Sequence, residues 1–125
     1  MDINKISGLI IEAAMRVHSA LGPGLLESAY ESCLVHELRK MGLIVLSQLL
    51  LPVVYDGTKI DAGYRIDCLV EDIVIVELKA VDKVLPIHEA QLLSYLKLSK
   101  KPLGLLINFN VVHLKDGIKR MANGM

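Results

Sequence analysis

The chain of 125 residues contains no tryptophan, one phenylalanine and four tyrosines. An extended platform for stacking a run of unpaired bases is therefore not expected. It also lacks an excess of charge: fourteen Lys and Arg balance fourteen Asp and Glu. No global field draws it to nucleic acid or to an anionic membrane, and any such binding must come from a local patch. Cysteine is scarce, with Cys33 in a helical pattern, Cys68 in a strand pattern, no CxxC pair and no secretory leader ahead of them. Buried thiols in a reducing, cytoplasmic compartment are expected, rather than a disulfide or a zinc site. Long apolar runs are missing too. The longest, Leu43 to Tyr55, is interrupted by Ser47, Gln48 and Pro52 and falls short of the roughly 20 residues of a membrane span. Repeats, low-complexity segments and linkers are absent.

What is present is apolar: 53% of residues are hydrophobic and 22% are charged. These proportions predict one compact domain over residues 1–125, with some apolar surface left for a partner. Ile3, Ile6, Ile10, Ala13, Ala14, Val17 and Leu21 recur at helical spacing behind Asp2 or Asn4 as N-cap. Gly22-Pro23-Gly24 stops that helix, and a second runs from about Leu25 to Met41, ended by Gly42. Two strands are expected between Leu43 and Ile60 around the hairpin signal Asp56-Gly57, and another pair, Tyr64 to Val70 and Ile73 to Ala80, around Glu71-Asp72. Pro86 opens a third helix, from about Leu85 to Lys100, and Pro102 closes it. Leu103 to Phe109 is a buried strand that Val111 to Leu114 extends, and Asp116 to Asn123 is a short terminal helix. The order ααββββαβα predicts an α/β fold, a mixed sheet flanked by helices.

The stretch IVIVELK, residues 73–79, poses the functional question. Side chains alternate along a strand, so Glu77 and Lys79 share a face while Leu78 points the other way. A three-residue loop, Glu71 to Ile73, sets Asp67 opposite Glu77. It also puts Ile66, Cys68, Val70, Val74, Val76 and Leu78 together on an apolar core face. A two-residue loop sends Asp67 to the face opposite Glu77. Two carboxylates and a lysine at a strand end suit Mg²⁺, a hard cation that takes oxygen ligands and keeps several waters. Such a site polarises water and neutralises charge on a phosphodiester. The competing reading is a solvated surface pair. Glu-x-Lys is common, and Glu37-Leu38-Arg39 is a similar pattern on a helix of the same chain.

Asp67 followed by Glu77-Leu78-Lys79 resembles the core signature of the PD-(D/E)XK nuclease superfamily, with Ile66 in place of the nominal proline. Gln91-Leu92-Leu93-Ser94-Tyr95 is similar to the QxxxY element of its RecB-like branch, and Gln91 and Tyr95 lie one helical turn apart. Gly24-Leu25-Leu26-Glu27-Ser28-Ala29-Tyr30 resembles the pattern that names the small GxxExxY protein family, and the likeness runs on from Gly63 to Arg120.

The resemblance implies a restriction-endonuclease-like fold and a metal-dependent nuclease. It assigns Glu27, Asp67, Glu77 and the Leu78 carbonyl to Mg²⁺, with Mn²⁺ as substitute. Lys79 becomes the catalytic lysine, and Gln91 and Tyr95 position the lysine or the phosphate. Gly24 and Tyr30 are structural companions of Glu27. Each assignment has a plainer counterpart: Glu27 in a first helical turn is favoured by the helix dipole alone, Gln91 and Tyr95 can be packing residues, and His88 can be a surface residue. Lys79, Lys83, Lys97, Lys100, Lys101, Lys115, Lys119 and Arg120 line either a phosphate groove or solvated faces. The expected substrate is nucleic acid, DNA before RNA, with no membrane partner. A homodimer or a partner protein is expected to complete the groove. The alternative is a non-enzymatic nuclease-fold module for nucleic-acid binding or assembly.

Overall fold

The computed structural model describes residues 1–124. Helix α1, Ile3–Leu21, begins where the Asp2 carboxylate accepts the Asn4 N–H at 2.7 Å. It buries Ile6, Ile10, Ala13, Ala14 and Val17 along one stripe, the face expected from its periodicity. The chain then turns through Gly22-Pro23-Gly24. Gly24 adopts φ 98, a left-handed conformation that a Cβ disfavours. Helix α2, Glu27–Lys40, follows and packs on α1.

Among the described residues seven strands follow, β1 Val45–Leu50, β2 Val53–Tyr55, β3 Thr58–Ile60, β4 Arg65–Val70, β5 Val74–Lys79, β6 Leu103–Asn108 and β7 Ile118–Ala122. Helix α3, Pro86–Ser99, separates β5 from β6, with Pro86 in its first turn as expected. The main sheet has the order β1-β4-β5-β6-β7. Only the β5–β6 pair is parallel, because only there does a helix carry the chain back to the same end. One face of the sheet, with Cys68, Val70, Val74, Val76, Leu78, Leu105 and Ile107, packs under α1 and α2. The other, with Leu69, Ile75 and Leu106, packs under Leu92, Tyr95 and Leu96 of α3. Helix α3 lies close at one point, since a Cβ on Gly104 would stand 2.9 Å from Leu92 Cδ1.

Five local expectations are corrected. Residues 43–60 form three strands rather than two: β1 joins the main sheet, while β2 and β3 make a separate hairpin around Asp56-Gly57. The segment from Val111 to Leu114 does not extend β6, and residues 116–123 are not a helix. A short 3₁₀ turn, Leu114–Gly117, instead leads into β7, which pairs antiparallel with β6. The edge of β6 still needed hydrogen-bond partners, and that tertiary demand outweighed local helical spacing. Cys68 is buried as expected, whereas Cys33 is only half-buried, and both are free. Ile66 does not share the face of Cys68 and Val70; it lies in the layer under α3. No helix among the described residues is long and apolar enough to cross a membrane.

Tyr30 ties the helical layer to the turn before α2. Its ring is fully buried and stacks on Phe109, with centroids 4.6 Å apart. Its hydroxyl donates to the Gly22 carbonyl at 2.6 Å and accepts the Leu25 N–H at 3.1 Å. One side chain thereby holds the entry to α2 and so the position of Glu27. Tyr30→Phe keeps the stack and removes both hydrogen bonds, leaving the loop groups without that partner. We expect it to lower stability by about 1–3 kcal/mol, read as a lower urea midpoint with an unchanged slope.

Candidate active site

The loop between β4 and β5 is the three-residue one, with Val70 opposite Val74 and Cys68 opposite Val76. That register carries Asp67 to the position facing Glu77, but the backbone ladder stops there. The Asp67 N–H donates to Glu77 Oε1 at 3.3 Å, and the Leu78 N–H donates to Asp67 Oδ2 at 2.8 Å. Side-chain carboxylates have replaced main-chain carbonyls, and the two strands part. Because N–H and C=O of one strand residue point to the same side, the Leu78 carbonyl faces this opening too. The Lys79 carbonyl points the other way and accepts the Phe109 N–H at 2.9 Å.

The break continues into β1. Residues 45–47 pair with 68–70 and residues 49–50 with 65–66, while Gln48, facing Asp67, is skipped. Gln48 has φ 54, left-handed backbone that is uncommon for a residue with a Cβ. Around it both strands rotate together. Val45 and Cys68 face α1 and α2, whereas Leu49 and Ile66 face α3. This joint rotation preserves the register and explains why Ile66 changed layers. Gln48 Nε2 donates to Glu31 Oε1 at 2.7 Å and to Asp67 Oδ1 at 3.3 Å.

Glu27, Glu31, Gln48 and Asp67 line one open hollow of about 610 Å³. The sequence reading missed Glu31 and Gln48. Glu31 sits one turn beyond Glu27, a spacing that signals the shared face; nothing in the local sequence of Gln48 marks it. The acids oppose each other electrostatically. Burial, and next the Asp67 charge, push the Glu77 carboxyl up to about 9. Burial raises Glu27, with Lys79 drawing it down and Asp67 adding to the rise. Burial and Asp67 likewise raise Glu31.

Lys79 ends β5 and lines a second hollow, of about 670 Å³, with Gln91 and Tyr95. Tyr95 is almost fully buried, and burial, then Glu77, raise its hydroxyl. His88 borders the same space. Asn108, opposite Lys79 on β6, was also missed. It is buried, and its amide accepts the Val81 N–H at 3.1 Å and donates to the Val81 carbonyl at 2.8 Å, anchoring the chain just beyond Lys79. Three of the other proposed groove cations are engaged elsewhere. Lys101 pairs with Asp72, Lys119 with Glu89, and Arg120 donates to Ser7 and Asn4. A hollow of about 470 Å³ beside Met15, His18 and His113 includes no carboxylate.

The strand pair with opposed acids, the Glu-x-Lys strand end and the helices on both faces match a known pattern. The family description that fits, over residues 4–121, is the PD-(D/E)XK nuclease superfamily. The chain belongs to that superfamily. No curated protein and no solved structure matches it significantly. Its α+β architecture, a five-stranded mixed sheet flanked by helices, agrees with the PD-(D/E)XK fold.

PD-(D/E)XK nucleases usually use divalent metal ions, and the donors present here fit such an ion chemically: carboxylate oxygens, a free strand carbonyl and acids whose mutual repulsion a cation relieves. Among the described residues no three Asp, Glu, His or Cys side chains already form a coordinating cluster. Both Asp67 oxygens and one oxygen each of Glu77 and Glu31 accept from backbone N–H groups or from Gln48, bonds with which a cation at Asp67 would compete.

Glu77 carries a measurable consequence without any cation. Its carboxyl holds a proton in the fold up to about 9 but has an ordinary value of 4.5. Unfolding therefore releases a proton between these limits, and stability falls as pH rises from about 5 to 9. In EDTA, thermal melts of the wild type should decline across this range, and Glu77→Gln should flatten the slope. The variant's advantage is expected to be largest near pH 9 and smallest near pH 5; equal slopes would contradict the burial of an ionisable Glu77.

Proposed function

We propose that the protein is a divalent-metal-dependent nuclease of the GxxExxY branch that hydrolyses phosphodiester bonds in DNA. The observation that supports this most is the opening between β4 and β5, where Asp67 and Glu77 face each other beside Lys79. Glu27, Asp67, Glu77 and the Leu78 carbonyl would hold Mg²⁺, or Mn²⁺ in its place. The ion would supply a polarised water and neutralise charge on the phosphate.

The protein's own groups do the rest. Lys79 sets a positive charge at the strand end, where it orients the attacking water and stabilises charge developing on the phosphate oxygens. Gln91 and Tyr95 hold Lys79 or the phosphate from the α3 side. Gln48 is a positioning residue, tying Asp67 to Glu31. The acidic cluster is costly when empty, because burial and repulsion both penalise its charges. A core this small has little surface with which to grip a duplex, so a second copy or a partner protein completes the groove, in the cytoplasm.

The test is cleavage of labelled DNA and RNA with Mg²⁺, Mn²⁺ or EDTA. Metal-dependent cleavage of DNA is expected, with Lys79→Ala and Glu77→Ala each reducing kcat by about a hundredfold or more, the scale of losing one charge-stabilising group. Folded protein that neither cleaves any substrate nor binds Mg²⁺ or Mn²⁺ by calorimetry would overturn the nuclease reading. A non-enzymatic module for nucleic-acid binding or assembly would then replace it.

A further inference from the structure

The hollow on the α3 side of Lys79 is not needed to bind a cation, yet it is the larger of the two beside the strand end. Its walls are apolar where a helix surface is ordinarily polar. Tyr64, Ile87 and Leu98 line it and are 43%, 67% and 39% exposed. Helix α3 thus carries apolar residues on both faces, Leu92 and Leu96 toward the sheet and Ile87 and Leu98 toward the hollow. Tyr64 stands in the chain just before β4, its carbonyl fixed by the Leu51 N–H at 2.8 Å. Its ring lies 6.0 Å from that of buried Tyr95, tilted by 57°.

Polar groups interrupt this wall at few points. Gln91 and Ser94 are exposed along it. His88 Nδ1 accepts the Leu85 N–H at 3.0 Å, so the neutral ring carries its proton on Nε2 as a donor. Lys79 supplies positive charge at the inner end. An apolar slot with an aromatic wall, a few hydrogen-bonding groups and one cation suits a planar, polar-edged ring attached to a phosphate. A purely apolar occupant would leave the lysine and the donors unmatched.

We propose that this hollow takes the base of one unpaired nucleotide, against Tyr64, while the adjoining phosphodiester lies at Lys79. The inference deepens the nuclease reading and rests on it for the direction of the strand toward the carboxylates. It names the substrate class as single-stranded or frayed nucleic acid, because a base inside a paired stack cannot enter a side pocket without leaving its partner. With one accessible aromatic wall, the site takes one base and not a run. The contact is to the base, so single-stranded DNA and RNA share it.

The test measures binding separately from cleavage. In Ca²⁺, fluorescence anisotropy of a short labelled oligonucleotide is compared between the single strand, as DNA and as RNA, and its blunt duplex. Aminopurine in the strand reports stacking. Single strands are expected to bind at least tenfold tighter than the duplex. Tyr64→Ala should weaken single-strand binding by about tenfold, within the range for losing one base–aromatic stack. Tyr64→Phe should restore it, and aminopurine quenching should follow the same order. Since Tyr64 is 43% exposed, the substitutions leave the core intact. Equal binding of strand and duplex, or no change in Tyr64→Ala, would overturn the proposal. The two readings fail separately. Stacking through Tyr64 without Mg²⁺- or Mn²⁺-dependent cleavage would keep the pocket and remove the nuclease. Cleavage indifferent to strandedness and to Tyr64→Ala would keep the nuclease and remove the pocket.

Discussion

The bond from the Leu78 N–H to the Asp67 carboxylate is the constraint around which the molecule is arranged. A β-ladder that ran on past Cys68 and Val76 would pair every backbone group and leave no opening. By accepting a strand N–H with its side chain, Asp67 satisfies the buried donor while ending the ladder. Glu77 reciprocates by accepting the Asp67 N–H. The sheet stays free of orphaned donors at this point, and two carboxylates are brought together, Glu77 buried and Asp67 half-buried at the edge of the open hollow.

Much of the surrounding structure supports that break. The left-handed Gln48 lets β1 and β4 rotate together, so Leu49 and Ile66 can fill the layer under α3. Asn108 holds the chain beyond Lys79, where β5 has no strand neighbour on the β4 side. Tyr30 and Phe109 fix the turn that delivers Glu27. A residue in an unfavourable backbone conformation, placed at the point where opposed acids meet, fits the general tendency for strain to collect at working sites.

The electrostatics follow from the same geometry. Glu77 is buried next to Asp67, so its neutral form is favoured, and Glu27 and Glu31 feel both burial and the same neighbour. Burial and mutual repulsion both penalise the charged forms of these acids, a cost that nearby positive charge offsets. Lys79 supplies part of that charge from the end of β5, between the acidic hollow and the apolar one. This position, and not the net charge of the chain, defines the electrostatic character of the site.

The sequence alone determined the periodic helices, the hairpin turn at Asp56-Gly57 and the apolar strand 73–79; it offered the pairing of Asp67 with Glu77 as one of two registers, and the structure decided between them. Each depends on local spacing or loop length, which a linear pattern records. Glu27, Lys79, Gln91 and Tyr95 were marked as candidates through motif resemblance, because they stand at the intervals of the motifs along their elements. Only the tertiary structure decided that residues 118–122 complete a sheet edge, since strand pairing there depends on β6 and not on local helical spacing. It alone brought Glu31, Gln48 and Asn108 to the site: each acts through a partner at least 17 residues away. Ile66 shows the reason most directly. Strict alternation put it beside Cys68, but alternation is a rule for an unbroken strand, and the contact that breaks this one joins residues distant in sequence.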